Sequence, residues 1–153
     1  EWTERALIAN RIKQQIRDGV PPQTIAVLAG RRVLLEAMAQ TLREEGVEIE
    51  QTFSRQFRRI TLTKPSVKLL TMHGAKGLDF LHVYLIGLTV DGLPSDRYAV
   101  SLSEADPEGT AFTRRLVYTA MIRAGSTLTM SAVASHAHPI LRNIDPTLYT
   151  IQR

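Results

Sequence analysis

The sequence predicts an α/β domain with a mostly parallel sheet covered on both faces. Its 153 residues are the right length for one domain. Helix-like and strand-like segments alternate along it. Several strand-like runs are continuously apolar, the mark of strands buried on both sides.

The elements follow in order. Ile8, Ile12 and Ile16 recur every fourth residue, with Leu7 alongside, and predict a helix over 3–18. Gly19 ends it, and Pro21 and Pro22 prevent its return. The run TIAVL, 24–28, reads as a short buried parallel strand. A second helix covers 32–45, with Leu34, Leu35, Met38 and Leu42 inward, and Gly46 closes it. Residues 47–53 alternate as a half-exposed strand. Residues 54–64 are basic (Arg55, Arg58, Arg59, Lys64) and fit either a phosphate-tracking segment or a solvated sheet edge. Strands are predicted at 67–72 and 82–88, then a long polar connection over 90–109. A helix over 111–124 buries Phe112, Leu116, Val117, Ala120 and Met121. A strand over 126–132 follows, then a loop at His138-Pro139, a short helical piece and a last strand near 149–151.

A hydrophobic content of 44% and a net charge of +4 argue against disorder and agree mildly with a phosphate-bearing partner. The absence of cysteine excludes disulfides, thiolate metal sites and cysteine nucleophiles, and agrees with a reducing compartment. The longest strongly apolar run, 80–90, is too short to span a bilayer. The chain opens with EWTER and no Met, and reads as a fragment of a longer protein.

Two segments carry candidate chemistry. The turn TMHGAKGLDF, 71–80, places polar residues between two apolar strands. Gly74 and Gly77 let backbone amides approach a ligand, Lys76 adds a positive charge, and Asp79 offers a carboxylate to a sugar hydroxyl. In parallel sheets ligands bind beyond the carboxyl ends of the strands, so the site is expected there. The spacing is not that of a Walker A loop, and GAKG alone also fits a plain glycine turn. On the helix over 111–124, Arg115, Thr119 and Arg123 share one face. That pattern fits a solvated side with a cation near the helix C-terminus, or an anion-binding arginine.

Taken together and in this order, TMHGAKGLDF and RRLVYTAMIRA (114–124) resemble the last two signature motifs of UvrD/Rep-like superfamily 1 helicases, roughly T-x-H-x-A-K-G-L-E-F and R-R-L-x-Y-V-A-x-T-R-A. The stretch 25–47 resembles the family's I-A-V-L-x-R…L-E-x-x-L…G-I, and Asp91-Gly92-Leu93-Pro94 its E-G-x-x-P turn. The resemblance implies a RecA-like, P-loop-NTPase-type three-layer fold. Residues 1–153 would form one domain, the second RecA-like domain of an ATP-dependent DNA helicase, with the similarity running to about residue 134. It implies that ATP with Mg²⁺ is held mainly by an N-terminal RecA-like domain of the same protein. Arg123 would be the catalytic arginine finger. Gly77, Asp79 and Arg123 would face the nucleotide, and Thr71, His73 and Lys76 would lie on single-stranded DNA. A cytoplasmic location, no membrane and no structural metal go with this reading.

The chain departs from the family pattern at several places. Phe112-Thr113 replace an acidic pair, Ile122 replaces the threonine before the finger, and Gly30 stands where arginine is common. Asp79 replaces a glutamate. Only about twenty residues separate Ile49 from Thr71, where many relatives insert an accessory domain. No Walker A, Walker B or Q-N-Y-R-S-like segment is present, so the chain alone is expected to be inactive as an ATPase. The alternatives are a helicase-like binding module that has lost coupling to ATP, and an unrelated small phosphate-binding α/β protein. His136 and His138 read as loop residues rather than metal ligands, and Trp2 and Tyr118 as packed aromatics.

Overall fold

The computed structural model describes residues 2–51, 60–94 and 110–151, with the side chains of Trp2, Thr3 and Thr110 left aside. The elements are α1 (Trp2–Arg17), β1 (Ile25–Ala29), α2 (Arg32–Glu44), β2 (Ile49–Gln51), β3 (Val67–Thr71), β4 (Phe80–Ile86), α3 (Thr110–Met121) and β5 (Ala124–Met130). These five strands pair in parallel, in the order β2-β3-β1-β4-β5. The α/β class and the parallel sheet are as the sequence predicts.

Each strand sends alternate residues to opposite faces. Ile25, Val27 and Ala29 of β1, with Val67, Leu69, Tyr84 and Ile86, pack against Ile8 and Ile12 of α1 and Leu35, Met38 and Leu42 of α2. Ala26 and Leu28, with Leu70, Val83 and Leu85, pack against Leu116, Val117 and Ala120 of α3 and against Met72, Ala75 and Ile140. Helices on both faces give three layers. Leu7, expected alongside the isoleucine stripe, is 60% exposed; one residue before Ile8, it is rotated about 100° off the stripe.

Several boundaries differ from the sequence reading, and β4 runs over Phe80–Ile86 rather than 82–88. The third helix stops at Met121, and β5 begins at Ala124. A strand near 149–151 is not formed. The tail runs through short 3₁₀ turns at Pro139–Asn143 and Pro146–Leu148, then irregular backbone, with Leu148 and Ile151 exposed. Two prolines remove backbone donors, and among the described residues of this tail only Ile140 is buried in the core. Finally, β2 covers only Ile49–Gln51, and residues 52–53 lie outside the described residues. So do Arg55, Arg58 and Arg59 of the basic run, whereas Lys64 is described and exposed. Residues 52–66 are all that separate β2 from β3, leaving no room for an inserted domain.

One buried charge was invisible in the pattern. Lys68, in the middle of an apolar run, is fully buried. Its ammonium lies 2.8 Å from Glu50 Oε2, 2.8 Å from the Thr61 carbonyl, 3.0 Å from the Lys64 carbonyl and 2.9 Å from Ser66 Oγ. This cage ties the 61–66 turn to β2 and β3.

Candidate nucleotide and nucleic-acid site

The segment 72–79 joins β3 to β4 across β1, and since all three strands are parallel it must travel the length of the sheet. Thr71 pairs with Ala29, and Ala29 pairs with Ile86, so Thr71 lies level with the end of β4. Asp79 immediately precedes the start of β4. The two ends of the segment are therefore roughly 20 Å apart along the strand axis, six residues at ~3.3 Å each. The sequence reading set the whole site at the carboxyl edge; the structure divides it between the two edges.

At the carboxyl edge stand Thr71 and His73. Thr71 Oγ1 accepts a 3.0 Å bond from the Gly74 amide, and the Thr71 carbonyl accepts from Ala75 N at 3.0 Å. These bonds turn the chain as it leaves β3 and leave the Thr71 hydroxyl hydrogen available to donate. His73 is exposed. Its ring stacks on Phe112 of α3 with centroids 5.9 Å apart and planes 30° apart. Ala75 and Met72 anchor the segment in the core. Lys76 is exposed between the two edges.

At the amino edge stand Gly77, Asp79 and Arg123. Gly77 has φ +81°, a left-handed conformation that favours glycine, and it redirects the chain toward β4. Arg123 lies past the end of α3, in the turn before β5, rather than on the helix. Its carbonyl accepts from Phe80 N at 2.9 Å, fixing the turn beside the start of β4. Its Nε donates to the Thr119 carbonyl at 3.2 Å, and Nη1 lies 3.1 Å from Asp79 Oδ1. The side chain is 17% exposed, while that of Asp79 is 76% exposed. The guanidinium therefore sits at the rim, held by a helix-end carbonyl and a solvated carboxylate. Arg115 is exposed further up the helix. Tyr118, expected to be packed, is 62% exposed, and Ile122 beside Arg123 is 48% exposed.

The sequence reading missed two contacts: the ion pair between Asp79 and Arg123, and the stack of His73 on Phe112. The first had a signal, opposite charges in two motifs expected at one site. The second has none, because Phe112 falls on the apolar side of its helix in the sequence pattern.

Among the described residues, no group of three or more His, Asp or Glu is placed to hold a metal ion. His138 caps the 3₁₀ turn that follows it, its Nδ1 accepting from Ile140 N at 3.1 Å. His136 Nδ1 lies 2.7 Å from Ser135 Oγ. Among the described residues, no helix is long and apolar enough to cross a membrane.

The model of the UvrD-like helicase C-terminal domain matches residues 50–135, more than half of the chain. The chain belongs to that family. The matched stretch contains both edges of the site, from Thr71 to Arg123. ATP-dependent DNA helicase Rep of Buchnera aphidicola subsp. Baizongia pistaciae is 31% identical over 91 residues, 59% of this chain and 13% of its own length. A Mycoplasma pneumoniae protein named "probable DNA helicase" is 30% identical over 128 residues, 83% of this chain and 21% of its own. The chain thus spans about a fifth or less of these relatives. In fold, it resembles the C-terminal domain of a "possible DNA helicase" from Lactobacillus plantarum WCFS1, with a TM-score of 0.65 at 20% identity, over 96% of this chain and 76% of the other.

Proposed function

We propose that this member of the UvrD-like family is the C-terminal motor domain of an ATP-dependent DNA helicase. In this reading Arg123 is the finger that meets the γ-phosphate of ATP held by an N-terminal RecA-like lobe. The carrying observation is the guanidinium presented at the rim, paired with Asp79 and backed by the end of α3. A planar, permanently charged fork suits phosphate oxygens, and stabilising charge on the transferring phosphoryl group is what a finger contributes.

The donors at this edge fit contact with a nucleotide rather than its capture. Among the described residues they are the Arg123 guanidinium, the Asp79 carboxylate able to accept from a ribose hydroxyl, and the glycine turn at Gly77. The sequence holds no Walker A lysine to cradle phosphates and Mg²⁺. Mg²⁺-ATP therefore belongs mainly to the other lobe, and the isolated chain hydrolyses no ATP above background. Asp79 leaves Arg123 as the phosphate arrives, or turns with it. Because Asp79 is largely solvated, releasing the pair costs at most about 1 kcal/mol. Thr71 and His73 at the carboxyl edge, about 20 Å from the finger along the strand axis, line the single-stranded DNA track together with Lys76 between the edges. A cytoplasmic location goes with this reading, as a DNA motor works where DNA is.

The test is Arg123→Ala in a parent protein whose first lobe carries the Walker motifs. Strand-stimulated ATP turnover falls by about 10³-fold or more while nucleotide affinity is kept. Normal turnover in that variant removes the finger assignment. A second reading, a binding module uncoupled from ATP, draws on the apolar Ile122 beside the finger. It predicts strand binding in the parent protein that is indifferent to ATP.

A further inference from the structure

We propose that His73 and Phe112 form a two-ring platform on which one unpaired nucleobase of a single strand stacks, with Phe112 as the positioning residue. The proposal rests on the reading of Thr71 and His73 as part of the strand's track, and it adds recognition of a base to contact with the backbone.

The placement follows from topology. α3 leads back to the amino end of β5, so it runs antiparallel to the strands and its first turn lies at their carboxyl end, beside His73. Phe112 stands in that first turn, half-buried against the core that contains Met72 and Leu70. Packing on that side fixes its ring. The imidazole of His73 lies on it, 5.9 Å away between centroids and tilted by 30°, within the range of offset-stacked aromatic pairs. The backbone on both sides of His73 is also fixed. Gly74 N bonds Thr71 Oγ1, and the His73 carbonyl accepts from Lys76 N at 3.3 Å.

An imidazole held by its backbone and by a ring beneath it, with its other side exposed, has the form of a stacking surface. Gly74, next along the chain, adds no side chain to crowd it. Arg114 and Arg115 are exposed in the next positions of α3, where phosphates flanking a stacked base would pass. Every base has a π-face, so such a platform takes any unpaired nucleobase and excludes duplex, whose bases are already stacked.

Binding of this chain to fluorescein-labelled oligothymidylate and to a strand of equal length made of abasic sites tests the proposal by anisotropy at low salt. The wild-type chain is expected to prefer the strand with bases about tenfold, toward the low end for base–aromatic stacking. Phe112→Ala loses most of that preference and keeps the affinity for the abasic strand; His73→Ala loses the preference and also part of the affinity for both strands; Phe112→Tyr retains the preference. The tyrosine variant keeps the test decisive if Phe112→Ala fails to fold. A preference unchanged in both alanine variants, or one lost in Phe112→Tyr, overturns the platform. Strong wild-type binding without preference overturns the platform and leaves the strand-track reading standing. Binding to neither strand overturns both.

Discussion

Gly30 stands where the family pattern commonly carries arginine, and its surroundings explain the exchange. A Cβ there would lie 2.8 Å from the Gly92 carbonyl oxygen, 2.9 Å from Pro94 Cδ and 3.2 Å from Leu93 Cα. The Asp91-Gly92-Leu93-Pro94 turn rests on the carboxyl end of β1, so this departure reports a close approach of backbone. Gly30→Ala is expected to destabilise the domain by about 1–3 kcal/mol in urea unfolding; an unchanged midpoint would show that the turn moves aside freely. Tyr84 is a second residue with a measurable signature. Burial pushes its phenol up to about 12, and its hydroxyl donates to Gln15 Oε1 at 2.6 Å. The folded pKa lies above the unfolded one, so the stabilisation is whole below pH 10 and is lost as pH rises toward 12. Two pKa units correspond to about 2–3 kcal/mol. Tyr84→Phe should flatten the fall of stability between pH 10 and 12; an equally steep fall would place its origin elsewhere. The Asp79–Arg123 pair is too solvated to matter for folding, and Asp79→Asn should shift stability by less than about 1 kcal/mol.

At the scale of elements, β1, β3 and β4 were legible because continuous apolarity is rare outside strands buried on both faces. The same signal hid Lys68, since periodicity reports which side a residue faces and not what meets it there. A buried ammonium is tolerable only with acceptors, and Glu50, Ser66 and two carbonyls supply them. Lys68→Met should cost about 3 kcal/mol or more, because it strands the Glu50 carboxylate and the turn carbonyls. Pairing it with Glu50→Gln should recover part of that loss in the same unfolding assay; no recovery would mean that packing, not charge, sets the cost. The Glu50 carboxyl is desolvated, yet the Lys68 and Thr61 hydrogen bonds outweigh this and hold its pKa below 4.5. Its contribution is present above that pH and lost as pH falls through the lowered value. The end of α3 was not legible: Ile122 and Arg123 continue the helical pattern in sequence. The backbone leaves the helix at Met121, and the Arg123 carbonyl bonds Phe80 N. Nor was the path of 72–79, because the glycines announce a turn but not that it crosses β1 to the opposite edge. The strand expected near 149–151 rests on apolar Tyr149 and Ile151 alone, and among the described residues no strand pairs with them.

At the scale of the molecule, the segment 72–79 links two candidate sites at opposite ends of one sheet. Met72 and Ala75 anchor it in the core, while His73, Gly74, Lys76, Gly77 and Asp79 are exposed along it. On the proposed reading, the strand lies at one edge and the phosphate at the other. Candidate site residues could be proposed from sequence because two motifs stand in order; their division between two edges needed the strand order β2-β3-β1-β4-β5. The central claim is that Arg123 acts on the transferring phosphoryl group. The most direct measurement compares, in the parent protein, affinity for MgADP with affinity for MgADP plus fluoroaluminate, a mimic of the transferring phosphoryl group. A residue that acts on the transition state contributes to the second and not the first. The account predicts that Arg123→Ala leaves MgADP affinity intact and lowers the preference for the mimic by at least about a hundredfold. A preference equal to that of the wild type would contradict it.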